Sequence, residues 1–153
     1  MLFRSQKSAY KFLRGLIAPP GFTPAEWEIL LVTVRYHRGA EPRDKDSAFS
    51  KLPPEQQNSV RALAGILRLA RALRKSGVEN SAPFGAENTA EAIILRTPDL
   101  PDSVEAATRL AAAKHLLELY LAKPLVLRPI PKPAQIPRPA PADAPEHYAA
   151  ASD

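Results

Sequence analysis

Apolar residues recur at three- and four-residue spacing over four stretches of this chain, with two short apolar runs among them. The pattern predicts a mainly α fold. Residues 5–18, "SQKSAYKFLRGLIA", predict a helix with Ala9, Phe12, Leu13 and Leu16 on one side. "PPG" at 19–21 ends it, because proline cannot continue a helix and glycine permits the turn. "TPAE" at 23–26 is a capping box with proline at the first helical position. It opens a helix expected to run to Arg38, with Gly39 as its C-terminal cap. That helix is apolar almost all round, from Trp27 to Val34, and is expected to be the central buried one. Residues 40–52 predict a polar loop. Residues 53–77 give the clearest helix, with a broad apolar face of Val60, Leu63, Ile66, Leu67, Leu69, Ala70 and Leu73.

Beyond Gly77 the pattern changes. Residues 78–88 predict a loop, and "AEAIILR" at 90–96 a strand. Ser103 to Ala122 predicts a long helix with Ala107, Leu110, Ala111, Leu117 and Tyr120 facing inward. "PLVLR" at 124–128 predicts a second strand, pairing with 90–96 in a two-stranded sheet. From Pro129 onward, seven of 25 residues are proline and apolar content is too broken for a core. The expected organisation is one domain over 1–128 and a disordered proline-rich tail over 129–153. The tail reads as a solubilising extension ahead of a ligand for a proline-recognising domain.

The length of 153 residues and a hydrophobic content of 45% allow a real core. The chain has no cysteine, which excludes disulfides, thiolate metal sites and cysteine nucleophiles. The longest apolar run, "ILLVTV", is too short to span a bilayer, and the N-terminus lacks the apolar core of a signal peptide. A cytoplasmic location without membrane contact is the expectation. The basic excess sits in the predicted domain: residues 1–127 hold 18 Lys and Arg against 13 Asp and Glu, and residues 128–153 hold three of each. That balance points to an anionic partner.

The three histidines, His37, His115 and His147, are not at metal-ligand spacing, so no metal or other cofactor is expected. There is no glycine-rich phosphate loop, no nucleophile elbow and no specific nucleic-acid motif. Arginine placement says more. Arg61, Arg68, Arg71 and Lys75 fall within about 80° on the 53–77 helix, opposite its apolar face. No carboxylate interrupts that helix after Glu55. A guanidinium fork suits phosphate oxygens, although a basic stripe can also be only a solvated face. In "VTVRYHRGAEP", Arg35 and Arg38 point to the polar side, while His37 falls on a core-facing side, as a hydrogen-bonded packing residue would.

"GFTPAEWEILLVTVRYHRGAEP", followed by "LPPEQQNSVRALAGILRLARALRKS", resembles the C-terminal helical domain of the exopolyphosphatase/guanosine pentaphosphate phosphohydrolase (Ppx/GppA) family. "RYHR" with "LRLA" at this distance carries the likeness, which covers about 120 residues. The resemblance implies an HD-related helical fold and, in the complete enzyme, a catalytic centre in actin-like domains that precede this one. The C-terminal domain would help to form a polyphosphate groove and a dimer contact. The His-Asp region of that domain and the actin-like domains are missing from this sequence. Arg71 and Arg74 stand where the family pattern is acidic. The likeness therefore implies a non-catalytic module binding polyphosphate or a nucleotide anion through Arg35, His37, Arg38, Arg61, Arg68, Arg71 and Lys75. The alternatives are a structural module that forms a homodimer or docks on a separately encoded catalytic subunit, and a piece of a full-length exopolyphosphatase whose true start lies upstream.

Overall fold

The computed structural model of the chain describes residues 6–78, 84–97 and 100–130. In chain order the elements are α1 (Gln6–Arg14), α2 (Pro24–Tyr36), α3 (Ser47–Ser50), α4 (Pro54–Lys75), β1 (Gly85–Asn88), β2 (Ile93–Thr97), α5 (Val104–Leu121) and β3 (Leu125–Pro129). The molecule is mainly α with a small sheet, as the apolar spacing predicts.

Local chemistry accounts for the helix ends. At the start of α2 the Glu26 carboxylate accepts from the Thr23 N–H at 2.8 Å, and the Thr23 hydroxyl oxygen accepts from the Glu26 N–H at 3.2 Å. The bond from the Thr23 backbone, and then that from its hydroxyl, hold the Glu26 carboxyl below the usual carboxylate range. Helix α2 closes at His37, and Gly39 turns the chain with φ +75°, a value glycine adopts without a Cβ penalty.

The expected polar loop at 40–52 holds α3, which the sequence pattern missed. Its Phe49 is fully buried and meets Tyr36 edge-on, ring centroids 6.2 Å apart. Tyr36, Phe49, Leu52, Val32, Val60 and Ala64 are the centre of one apolar cluster, joining α2, α3 and α4. A second cluster joins the C-terminal half of α4 to α5 and the sheet through Leu69, Leu73, Val78, Leu110, Leu117 and Leu125. The two long helices meet closely at Gly65: a Cβ built there would lie 3.0–3.1 Å from Leu117 side-chain and backbone atoms.

The sheet has three strands, not two, in the order β1-β2-β3. Strand β1 reads "GAEN", with no large apolar residue, so β propensity does not reveal it. It pairs antiparallel with β2 across a tight connection in which the Thr89 hydroxyl donates to the Ala92 carbonyl at 2.8 Å. β2 and β3 are parallel, from Ile93↔Leu125 to Thr97↔Pro129, with α5 as their crossover. The Ile130 N–H donates to the Thr97 carbonyl at 2.9 Å, so ladder-type bonding reaches past residue 128. The expected tail lies outside the described residues from 131 onward.

Helix α5 also clamps β3. Lys114 Nζ donates to the Leu125 carbonyl at 2.8 Å, and Glu118 accepts from the Leu125 N–H at 2.7 Å. Lys114 and Glu118 bond each other at 2.9 Å.

Three expected inward faces are only partly buried. On α1, Phe12 and Leu16 are exposed and Tyr10 is the buried side chain. On α5, Ala107, Ala111 and Tyr120 are exposed, while Ala106, Leu110, Leu116 and Leu117 are buried. That helix is apolar or alanine at most positions, so its pattern has little direction. On α4, Val60, Leu69 and Leu73 are buried as expected, but Leu63, Ile66, Leu67 and Ala70 are exposed. The helix is gripped along its two flanks, by α2 and α3 near its start and by α5 and the sheet near its end, and the middle of the apolar arc faces outward.

Candidate anion-binding cleft

Three helices bring their basic residues to one open cleft of about 260 Å³. The C-cap of α2 and the residue after it supply His37 and Arg38. The polar face of α4 supplies Arg68, Arg71 and Lys75, and α5 supplies Arg109. Ala72, Ala112 and Ala113 complete the lining, which contains no carboxylate. Small side chains on facing turns of α4 and α5 leave room between the longer basic ones.

The cations are not equivalent. Arg68 is committed to the fold: Nε donates to the Tyr36 carbonyl at 2.9 Å, and one terminal nitrogen donates to the Gly39 and Ala40 carbonyls at 2.7 and 2.8 Å. It thereby caps the open C-terminal end of α2, where unsatisfied carbonyls and the helix dipole favour a cation. Burial lowers the Arg68 pKa, with the nearby Glu41 opposing, and the group stays charged at neutral pH. Arg109 reaches across to the end of α4, donating to Ser76 Oγ at 3.1 Å and, more weakly, to the Lys75 carbonyl at 3.4 Å. It also pairs with Glu105 one turn earlier.

The side chains of Arg71 and Lys75 have no hydrogen-bond or ion-pair partner among the described residues. Arg38 Nε is buried and unpartnered there as well. His37 Nδ1 sits in hydrogen-bond contact with the Val34 carbonyl, so that nitrogen carries the proton and Nε2 remains as the ring's other polar atom. An incoming anion therefore meets two unpaired side-chain cations, against a rim of cations already held by backbone carbonyls.

Five of the seven residues singled out from the sequence meet here: His37, Arg38, Arg68, Arg71 and Lys75. Arg35 and Arg61 do not. The Arg35 guanidinium lies over the Tyr10 and Tyr36 rings, 5.4 and 5.6 Å from their centroids. Arg61 lies 4.8 Å from the Phe49 ring centroid and pairs with Asp44 at 3.4 Å. Both cover the aromatic cluster beneath α2 and α3. Arg109 was missed. It lies 34 residues beyond Lys75 on another helix, and its only local mark is the i,i+4 pairing with Glu105. Among the described residues no group of three or more His, Cys, Asp or Glu could hold a metal ion, and no helix is long and apolar enough to cross a membrane. No family model matches the chain, and no curated protein matches it significantly.

Proposed function

We propose that this chain is a binding module for a phosphate-rich anion, held in the cleft between α2, α4 and α5. One observation carries the reading: basic side chains from α4, α5 and the C-terminal end of α2 line one cleft without a carboxylate, and the Arg71 and Lys75 side chains have no partner among the described residues. Unpaired cations are costly to gather on a folded surface, because like charges repel, and a bound polyanion removes that cost. The lining has no aromatic ring besides the His37 imidazole, so a nucleobase has little to stack against. Inorganic polyphosphate therefore suits the cleft better than a nucleotide. The "RYHR…LRLA" resemblance to the C-terminal domain of exopolyphosphatases supports the same ligand. In this reading the chain binds, and hydrolysis belongs to actin-like domains on a separate or upstream segment.

Fluorescence anisotropy with end-labelled polyphosphate tests it. We expect saturable binding at about 20 mM salt that weakens steeply by about 200 mM, because each phosphate contact releases counterions. The Arg71→Ala/Lys75→Ala double variant should bind at least about tenfold more weakly, roughly 1.4 kcal/mol, with its melting temperature unchanged. No binding at low salt, or equal binding by the variant, refutes the reading.

A further inference from the structure

Beside α4 the sheet leaves a space unfilled. Residues directly opposite in an antiparallel pair share a face. Ala86 and Asn88 of β1 therefore stand on the side that Leu95 and Ile93 of β2 turn to the helices. Ala86 is small and exposed, and the Asn88 side-chain oxygen accepts from Lys123 Nζ at 3.1 Å. With no large apolar side chain from β1, a slot of about 460 Å³ remains between α4, α5 and the sheet, and every side chain lining it is apolar. Its floor is buried core: Leu69, Leu73, Leu117 and Leu125. Ile66 and Phe84, 52% and 43% exposed, stand at its mouth. Along α4 the slot runs from Ile66 to Leu73, about 10 Å at 1.5 Å per residue. Arg74 follows at that end, one turn beyond Ala70 and about 40° round the helix. It is exposed, and its side chain has no hydrogen-bond or ion-pair partner among the described residues.

We propose that this slot binds the alkyl chain of a free, unbranched fatty acid, with the carboxylate beside Arg74. The volume is on the scale of small-molecule sites, roughly 300–1,000 Å³, which are mostly apolar with a few polar groups that fix orientation. Here that group is Arg74. An apolar cavity holds water poorly, because a buried water needs several polar partners. An alkyl chain needs none, and one laid along α4 covers the leucine floor from Ile66 to Leu73. A lone guanidinium suits a lone carboxylate, whose two oxygens match its fork. A polyanion is drawn elsewhere: Arg71 and Lys75 point about 150° or more round α4 from the middle of the slot. The two sites therefore lie on opposite sides of one helix and take ligands of different chemistry.

Isothermal titration calorimetry of the full chain with saturated fatty acids of about eight to fourteen carbons, below their micelle-forming concentrations, tests this. We expect one site per chain, with affinity rising roughly fourfold per added methylene until the slot is full. Ala70→Phe, at an exposed position, should fill the slot and weaken dodecanoate binding at least about tenfold, with circular dichroism unchanged. Arg74→Gln should weaken dodecanoate about fivefold and leave dodecanol, which has no carboxylate, unaffected. No saturable binding at any chain length overturns the proposal. So does an affinity indifferent to chain length or to Ala70→Phe, and so does equal dodecanoate binding by Arg74→Gln. Binding that appears only after removal of residues 131–153 overturns it as well, since that segment is then the occupant of the slot. The slot lies across α4 from the anion cleft, so this test and the polyphosphate test fail separately.

Discussion

Arg68 carries a larger structural role than any other cation in the cleft, and its role divides binding from stability at the level of single residues. Three backbone carbonyls, that of the last residue of α2 and two beyond it, take hydrogen bonds from its guanidinium. Removing it strands the part-buried Tyr36 carbonyl, while the exposed Gly39 and Ala40 carbonyls return to water, and hydrogen bonds to a charged donor contribute about 1.5–3 kcal/mol each. Partial rehydration of this open end reduces the loss, so Arg68→Ala should cost about 2–3 kcal/mol in urea denaturation. Arg68→Lys should recover only part, since an ammonium cannot reproduce the fork. A variant with native stability would mean that Arg68 is a surface cation only. The sequence placed Arg68 correctly in the basic stripe, but nothing in the stripe distinguishes a cation bonded to a carbonyl 32 residues away from one left for a ligand.

At the scale of elements, the close approach of α4 and α5 depends on Gly65. Glycine in a helix interior costs about 1 kcal/mol relative to alanine, so its presence here needs a packing reason. That reason is Leu117, whose backbone nitrogen and Cα would lie 3.1 Å from an added Cβ. Backbone cannot swing away as a side-chain tip can. Gly65→Val should therefore push the helices apart and destabilise the protein by about 2–3 kcal/mol, the usual scale of overpacking. Thermal unfolding would show it, and an unchanged melting temperature would mean that the two helices slide past the added group. The same displacement would widen the cleft between Ala72 and Ala112, so polyphosphate affinity should fall in parallel. Element boundaries were partly legible: the Thr23–Glu26 box, Gly39 and the Pro53–Pro54 pair act through neighbours in sequence, whereas α1, expected to reach 18, stops at Arg14 ahead of the Pro19–Pro20 pair. Burial of faces was less so, because a helix held on its flanks hides different residues from a helix laid flat on one layer.

Across the whole molecule, carboxylates set the acid limit of stability. Burial would raise the Asp46 and Glu118 carboxyls, but bonds from Arg43 to the first, and from Lys114 and the Leu125 N–H to the second, outweigh it. Both, with Glu26, titrate below their ordinary values in the folded state. A group depressed on folding contributes stability above its unfolded pKa, near 4 for these residues, and loses it as pH falls through the folded value. The melting temperature should thus hold from neutrality to about pH 5 and drop below about pH 4. Glu118→Gln should start lower at pH 7, with the β3 clamp weakened, and fall less steeply in acid. Parallel curves for the two proteins would contradict this role for Glu118.

The sequence by itself determined the four longer helices, the β2 and β3 segments and the turns between them. Those depend on hydrogen bonds and dihedral preferences within a few residues, and on apolar periodicity that every copy of the pattern displays. It also marked five of the six basic residues that meet in one cleft, because a helix holds basic residues at fixed angles. Only the tertiary structure decided that Arg109 joins them, that Arg35 and Arg61 lie over aromatic rings instead, and that the middle of the α4 apolar face stays uncovered. Each of these follows from which helix lies against which, a choice made by the summed burial of residues far apart in sequence, with no trace in any short stretch of it.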